Sequence, residues 1–330
     1  MITFSLIAAC AAMASEGANA PVELGRVFTK GETLSYKVRS NLSAERRGGM
    51  LRTWMPEDLD INYDFSLVVE QIKADGIAVI RYKRPTMTII LGETVDAPPR
   101  PTVEKVNFDL ALTLSPINEI IDVKDLAKKT PPKKAPSKAL RLKGIPAPQE
   151  LGGVLGQFIN EMYRLALFSG SFDSALDFAP KLRSTKVAVG DSWHKTVGYQ
   201  PQKLKGKEGK SVVQRLDFTY TYKGMVTLNG KKFQRLEASF DHDTDLSEFI
   251  NDTYDVKSED TGIKKLPMRL KSKVEFNLDP VTHHAVLAEA QTEGGYEVYA
   301  TGYEEPVLEM KLRGTTMMQL AKRTVPAKKK

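Results

Sequence analysis

Leu59, Ile61, Tyr63, Phe65, Leu67 and Val69 occupy every second position of one run, with mostly polar residues between them. This period-two alternation constrains the fold more than any other feature. It puts all six apolar side chains on one face of a strand and leaves the other face to water. The pattern recurs in Val106, Phe108, Leu110, Leu112 and Leu114, and again in Leu216, Phe218, Tyr220 and Tyr222. The latter run continues through Val226 and Leu228 to Asn229-Gly230, a pair whose tolerance of positive φ makes it a strong hairpin signal. Leu236, Ala238 and Phe240 lie on the returning strand. Val274, Phe276 and Leu278 form another, and Met310 and Leu312 are placed to close the sheet. Asp75-Gly76 turns the first run back into Ile77–Tyr82.

One segment breaks the β pattern. Leu151, Val154, Leu155, Phe158, Ile159, Met162, Leu165 and Ala166 recur at helical spacing, after Pro146 and Pro148 and before Gly170. A shorter helix is predicted over residues 172–178. Two stretches read as loops: residues 94–102, with three prolines, and residues 124–148, rich in lysine and proline. The second cannot bury enough apolar surface to offset its ordering entropy and reads as a solvated basic linker.

The two halves look related. Gly31-Glu32-Thr33-Leu34 parallels Gly190-Asp191-Ser192-Trp193, the LDINYDF run at Leu59 parallels LDFTYTY at Leu216, and LTLSP ending at Pro116 parallels FNLDP ending at Pro280. Each pair is offset by roughly 160 residues. Meanders share turn residues and alternation without common ancestry, so a true duplication and a shared pattern both remain open. The expected fold is mainly β. Two related antiparallel β-meanders, residues 21–123 and 184–324, form a curved sheet or half-barrel. Between them lie a basic linker (124–149) and a helical segment (150–183) with one central amphipathic helix. A basic tail covers 325–330.

Residues 2–14 are apolar and uncharged, too short for the ~20 residues that span a bilayer but sufficient for a signal-peptide core. A signal peptide is expected within residues 1–20. Cleavage after Ala14 is preferred to cleavage after Ala20, because Pro21 follows the second site. The usual positively charged start is missing. Ile7-Ala8-Ala9-Cys10 also resembles a bacterial lipobox, which leaves lipidation at Cys10 as the alternative. Cys10 is the one cysteine, so the mature chain has no thiol for disulfides, zinc or nucleophilic attack. No transmembrane helix is expected in the mature chain. The expected location is periplasmic or cell-surface.

Candidate chemistry is sparse. Gly190-Asp191-Ser192 resembles the start of a GDSL hydrolase motif, but Ser192 is mid-chain and the nearest distal pair, Asp279 and His283, has one residue too many. Asp241, Asp243 and Asp245 alternate as in a calcium loop, yet Leu246 stands where the loop needs glycine. They read instead as one solvent face of a strand end. His283-His284 point to opposite faces of a regular strand and fit a turn after Asp279-Pro280 better. No catalytic residue, metal or cofactor is assigned. The net charge of +7 could favour anionic partners. In the linker, Lys128, Lys129, Lys133 and Lys134 are the candidates for contact with anionic envelope polymer. No aromatics accompany them, and no nucleic-acid partner is expected.

The segments KGETLSYKV, DGIAVI, FDLALTLSPINEI and VGDSW resemble a loose group of uncharacterised exported bacterial proteins, over about Val27 to Leu312. That resemblance implies no activity. The sheet, central helix and leader also look like the architecture of LolA-like lipoprotein carriers, in which a curved sheet holds an acyl ligand around a helix. Such a likeness implies non-enzymatic binding of a hydrophobic ligand. The apolar face of the 151–166 helix packs most simply on the concave side of the sheet; the alternative is that it gates or lines a lipid pocket, with Phe65, Phe108, Phe158 and Met162 as expected lining residues. The alternative is a structural or interaction protein of the envelope that contacts anionic surface polymer.

Overall fold

The computed structural model describes residues 20–48, 51–92, 101–126, 179–199, 214–254 and 262–327. The alternating runs become β1 (Thr33–Gly48), β2 (Leu51–Pro56), β3 (Leu59–Ile72), β4 (Ala78–Leu91), β5 (Pro101–Leu114) and β6 (Ile120–Asp125) in the first half. The second half contributes β7 (Ser192–Tyr199), β8 (Gln214–Leu228), β9 (Lys231–Asp245), β10 (Ile263–Lys265), β11 (Pro267–Leu278), β12 (Ala285–Ala300) and β13 (Leu308–Thr324). One short helix, α1 (Ser247–Tyr254), follows β9. The expected helix over 151–166, and the residues Phe158 and Met162 on it, lie outside the described residues. So do Cys10 and the linker lysines Lys128, Lys129, Lys133 and Lys134.

All thirteen strands belong to one antiparallel sheet, ordered β6-β5-β4-β3-β1-β13-β12-β11-β9-β8-β7, with β2 on β1 and β10 on β12. The first meander runs outward from β1 to the β6 edge. The second runs inward from the β7 edge to β13, and the first and last strands pair from Thr33↔Thr324 to Gly48↔Leu308. The related motifs take matching places: the starts of β1 and β7, the strands β3 and β8, and the ends of β5 and β11. Their turns also match expectation. Asp75 and Gly76 have φ of 59° and 71°, and Asn229 and Gly230 have 51° and 76°.

One face of this sheet is buried from β5 across to β7, while the edge strand β6 stays largely exposed. Leu34, Tyr36 and Val38 of β1, Ile61 and Phe65 of β3, Ile80 and Tyr82 of β4, and Leu112 of β5 continue into Met310 of β13, Phe276 of β11, Leu236 of β9 and Phe218 of β8. Each fully buried side chain of this size contributes about 1.5–3 kcal/mol, which drives the sheet to curl its apolar face inward. The curl is nearly complete at one end. There the Ile117–Glu119 turn beside β6 meets the 180–182 segment that leads into β7. Leu182 N donates to Ile117 O (3.0 Å), Asn118 Nδ2 to Pro180 O (2.8 Å) and Lys181 Nζ to Asn118 O (3.0 Å). Strands β6 and β7 themselves do not pair among the described residues, so the sheet is curved and not closed.

Candidate functional site

The inward face of the first half is an aromatic wall. Phe65 stacks on Tyr36 with ring centres 4.9 Å apart, and lies 5.4 Å from Tyr82 and 6.3 Å from Tyr63. Phe108, half-buried on β5, sits opposite Arg84 of β4. Phe65 and Phe108, two of the residues expected to line a pocket, therefore lie on one wall. The second half repeats the arrangement: Trp193 stacks on Tyr220 (5.9 Å), and Phe218 packs edge-on against Phe240 (4.8 Å).

Arg84 is the anomaly in this wall. Its side chain is fully buried, and its guanidinium lies 4.7 Å from the Tyr63 ring and 4.7 Å from the Phe108 ring. Among the described residues none of its three guanidinium nitrogens has a hydrogen-bond partner. The local backbone explains its direction. Ala78, Ile80, Tyr82 and Arg84 keep inward phase. Pro85 and Thr86 then form an irregularity in the β4–β5 register, after which Met87 resumes the inward phase. Proline lacks a ladder donor and is tolerated at such a bulge. Tyr82, two residues away, also buries a hydroxyl without a hydrogen-bond partner among the described residues, and burial pushes its ionisation upward. Two aromatic faces stabilise a desolvated cation by roughly 2 kcal/mol or more each. Desolvating the cation with its N–H donors unmet costs several kcal/mol. The rings leave the guanidinium N–H donors of Arg84 unmet among the described residues. The signal for it in the sequence is a charged residue in phase with Ala78, Ile80 and Tyr82.

The sealed end of the sheet is polar and tightly filled. Arg26, Tyr36, Phe65, Asn118 and His284 are among the residues lining a cavity of about 20 Å³, room for a single water. Tyr36 Oη donates to Ala285 O (3.0 Å), and Thr282 Oγ1 lies 2.6 Å from His284 Nδ1. Burial, and secondarily the Arg26 charge, push the His284 imidazole down to about 4. Arg26 is itself shifted down by burial. His283 takes a left-handed φ of 54° in the turn, and its Nδ1 lies 2.8 Å from Gly25 O, so the pair splits as the turn requires.

The outward face differs in kind. Lys37, Arg39 and Glu45 of β1 and Lys311 and Arg313 of β13 are exposed, where a lipid-facing barrel wall carries an apolar band. Asp241 pairs with Lys271 (3.2 Å) and Asp243 with Arg269 (2.9 Å), while Asp245 Oδ1 accepts from Ser247 N and Leu266 N. The three aspartates thus serve a solvated strand and a helix start. Ser192 Oγ lies 2.8 Å from Thr221 Oγ1, a hydroxyl partner and not a base. No helix among the described residues is long and apolar enough to cross a membrane.

No family model matches the chain, and no curated protein matches it. Among solved structures, a lipovitellin structure described by its lipid–protein interactions is 10% identical with a TM-score of 0.44. The alignment covers 92% of this chain and 26% of lipovitellin, so the chain spans about a quarter of that protein. The Pseudomonas aeruginosa protein OccK7 (OpdD) is 7% identical over 88% of this chain and 99% of its own, with a TM-score of 0.28. DynF, from the dynemicin biosynthesis pathway of Micromonospora chersina, is 8% identical over 92% of this chain and 90% of its own, with a TM-score of 0.20. At these scores none of them assigns a fold or a function to the chain.

Proposed function

We propose that this chain is an exported, non-enzymatic envelope protein that holds a hydrophobic ligand, a lipid or acyl chain, against the inner face of its curved sheet. One observation carries the reading: a continuous apolar and aromatic inner face on a sheet whose β6 and β7 edges do not pair among the described residues. Apolar ligands commonly occupy the concave side or mouth of such sheets. The apolar leader supports export, and the resemblance to lipoprotein carriers points to the same ligand class.

Native mass spectrometry and organic extraction of the full-length purified protein test it. A co-purifying lipid, or saturable uptake of a fluorescent fatty-acid probe that Phe65→Asp abolishes, is expected. No extracted ligand and no saturable uptake would remove the proposal.

A further inference from the structure

We infer that Arg84 is the anchor for the anionic head of the ligand, a carboxylate or phosphate attached to an apolar chain. The inference deepens the proposed function and rests on it. Arg84 is fully buried, it points to the inward face, and its donors are unmet among the described residues. The unpartnered Tyr82 hydroxyl lies on the same face two residues away. A guanidinium and a phenol present donors that an anionic oxygen would accept, and the guanidinium fork matches a carboxylate or phosphate in a bidentate manner. The Tyr63 and Phe108 rings each lie 4.7 Å from the guanidinium carbon, contacts that do not use its N–H groups. Around it the wall is apolar: Phe65, Ile80 and Leu110 are buried on the same inward face and bring no second charge. A free small anion could satisfy Arg84 but would leave this apolar surface unused. A neutral lipid would cover the surface but leave the guanidinium unpaired.

Three probes with the same sixteen-carbon chain separate the terms: palmitate, hexadecyl phosphate and hexadecanol. Binding to the full chain is measured by displacement of a fluorescent fatty acid, for the parent protein, Arg84→Met and Arg84→Lys. Palmitate or hexadecyl phosphate should bind the parent about 10- to 100-fold more tightly than hexadecanol, the span expected of a charge-assisted hydrogen bond. Whichever of the two binds better identifies the head group. Arg84→Met should lose that advantage while binding hexadecanol as before, and Arg84→Lys should keep part of it. Ligand-free Arg84→Met should also melt at a higher temperature than the parent, because an unpaired buried charge is removed. A lower melting temperature would mean that the charge is neutralised within the protein, and would overturn the assignment. Equal affinity for all three probes would overturn the role of Arg84 and leave the inner face as a lipid site. Failure of all three to bind would overturn both.

Discussion

Lys195 Nζ lies 2.7 Å from Glu119 Oε1, and this contact joins β7 to the turn beside β6 although the two strands are opposite edges of the sheet. Both side chains are partly exposed, so the ion pair itself is worth about 1 kcal/mol or less. The buried neighbour does more. Asn118 has a left-handed φ of 62° and donates to Pro180 O. Asn118→Ala loses the hydrogen bond and strains the backbone, and should cost roughly 2–3 kcal/mol. Asn118→Gly keeps the conformation and should cost less, while Lys195→Met should cost under about 1 kcal/mol. Urea denaturation of the three variants checks this ranking.

Trp193 ties the same 180–182 segment from inside: its Nε1 donates to Lys181 O at 2.8 Å while its ring stacks on Tyr220. Trp193→Phe retains an aromatic ring but orphans a buried carbonyl, and should cost about 1–3 kcal/mol. Proteolysis should then cut more readily near residues 179–187, which mass mapping of the fragments would show.

His284 makes stability depend on pH. Its folded pKa of about 4 lies below the unfolded value, so between the two the unfolded chain binds more protons. Stability is therefore full above about pH 6.5, falls as the pH drops and levels off below about 4, for a loss on the order of 3 kcal/mol. Arg26, Arg323 and His283 oppose a charge on His284, and Asp279 favours it. Asp279 titrates in the same direction at lower pH. Burial raises its carboxyl, but hydrogen bonds from Thr282 and Val281 outweigh burial and hold it below the usual range. Melting curves from pH 4 to 7 should flatten in His284→Gln relative to the parent.

Gly294 and Gly295 let β12 pass closely between its neighbours. A Cβ on Gly294 would meet Arg269 O at 2.0 Å, and one on Gly295 would meet Met310 O at 2.1 Å. Both obstacles are backbone and cannot rotate away. Gly295→Ala should lower stability by at least about 2 kcal/mol, where alanine at an unhindered strand glycine would do no harm. Thermal melts of Gly295→Ala beside Gly230→Ala separate this clash from backbone strain, since a Cβ on Gly230 would meet open space at a φ of 76°.

Particular residues show what was legible. The alternation at β3, β5 and β8 and the turns at Asp75-Gly76 and Asn229-Gly230 stand in the structure as their local chemistry dictates. Strand β12 was not legible. Its Ala288-Glu289-Ala290-Gln291 run favours helix by propensity, and Gly294-Gly295 interrupts any strand pattern. It is a strand because β11 and β13 supply hydrogen bonds on both sides. The alternation of the returning strand after Asp75-Gly76 predicts an end at Tyr82. The strand continues to Leu91 through Pro85, whose bulge depends on the registers of β3 and β5. Phe65 and Phe108 are legible as inward residues from their phase alone, whereas the burial of Arg84 against Tyr63 and Phe108 is not.

By itself the sequence determined that this chain builds antiparallel strands with one apolar face, because alternation and turn conformation are properties of neighbouring residues. Tertiary structure alone decided that the two meanders join through β1 and β13 into one sheet. It also decided that the sheet curls until Lys195 meets Glu119, and that Arg84 is buried between Tyr63 and Phe108. Those outcomes depend on pairings between residues far apart in the chain, and no local pattern encodes where an unpaired charge comes to rest.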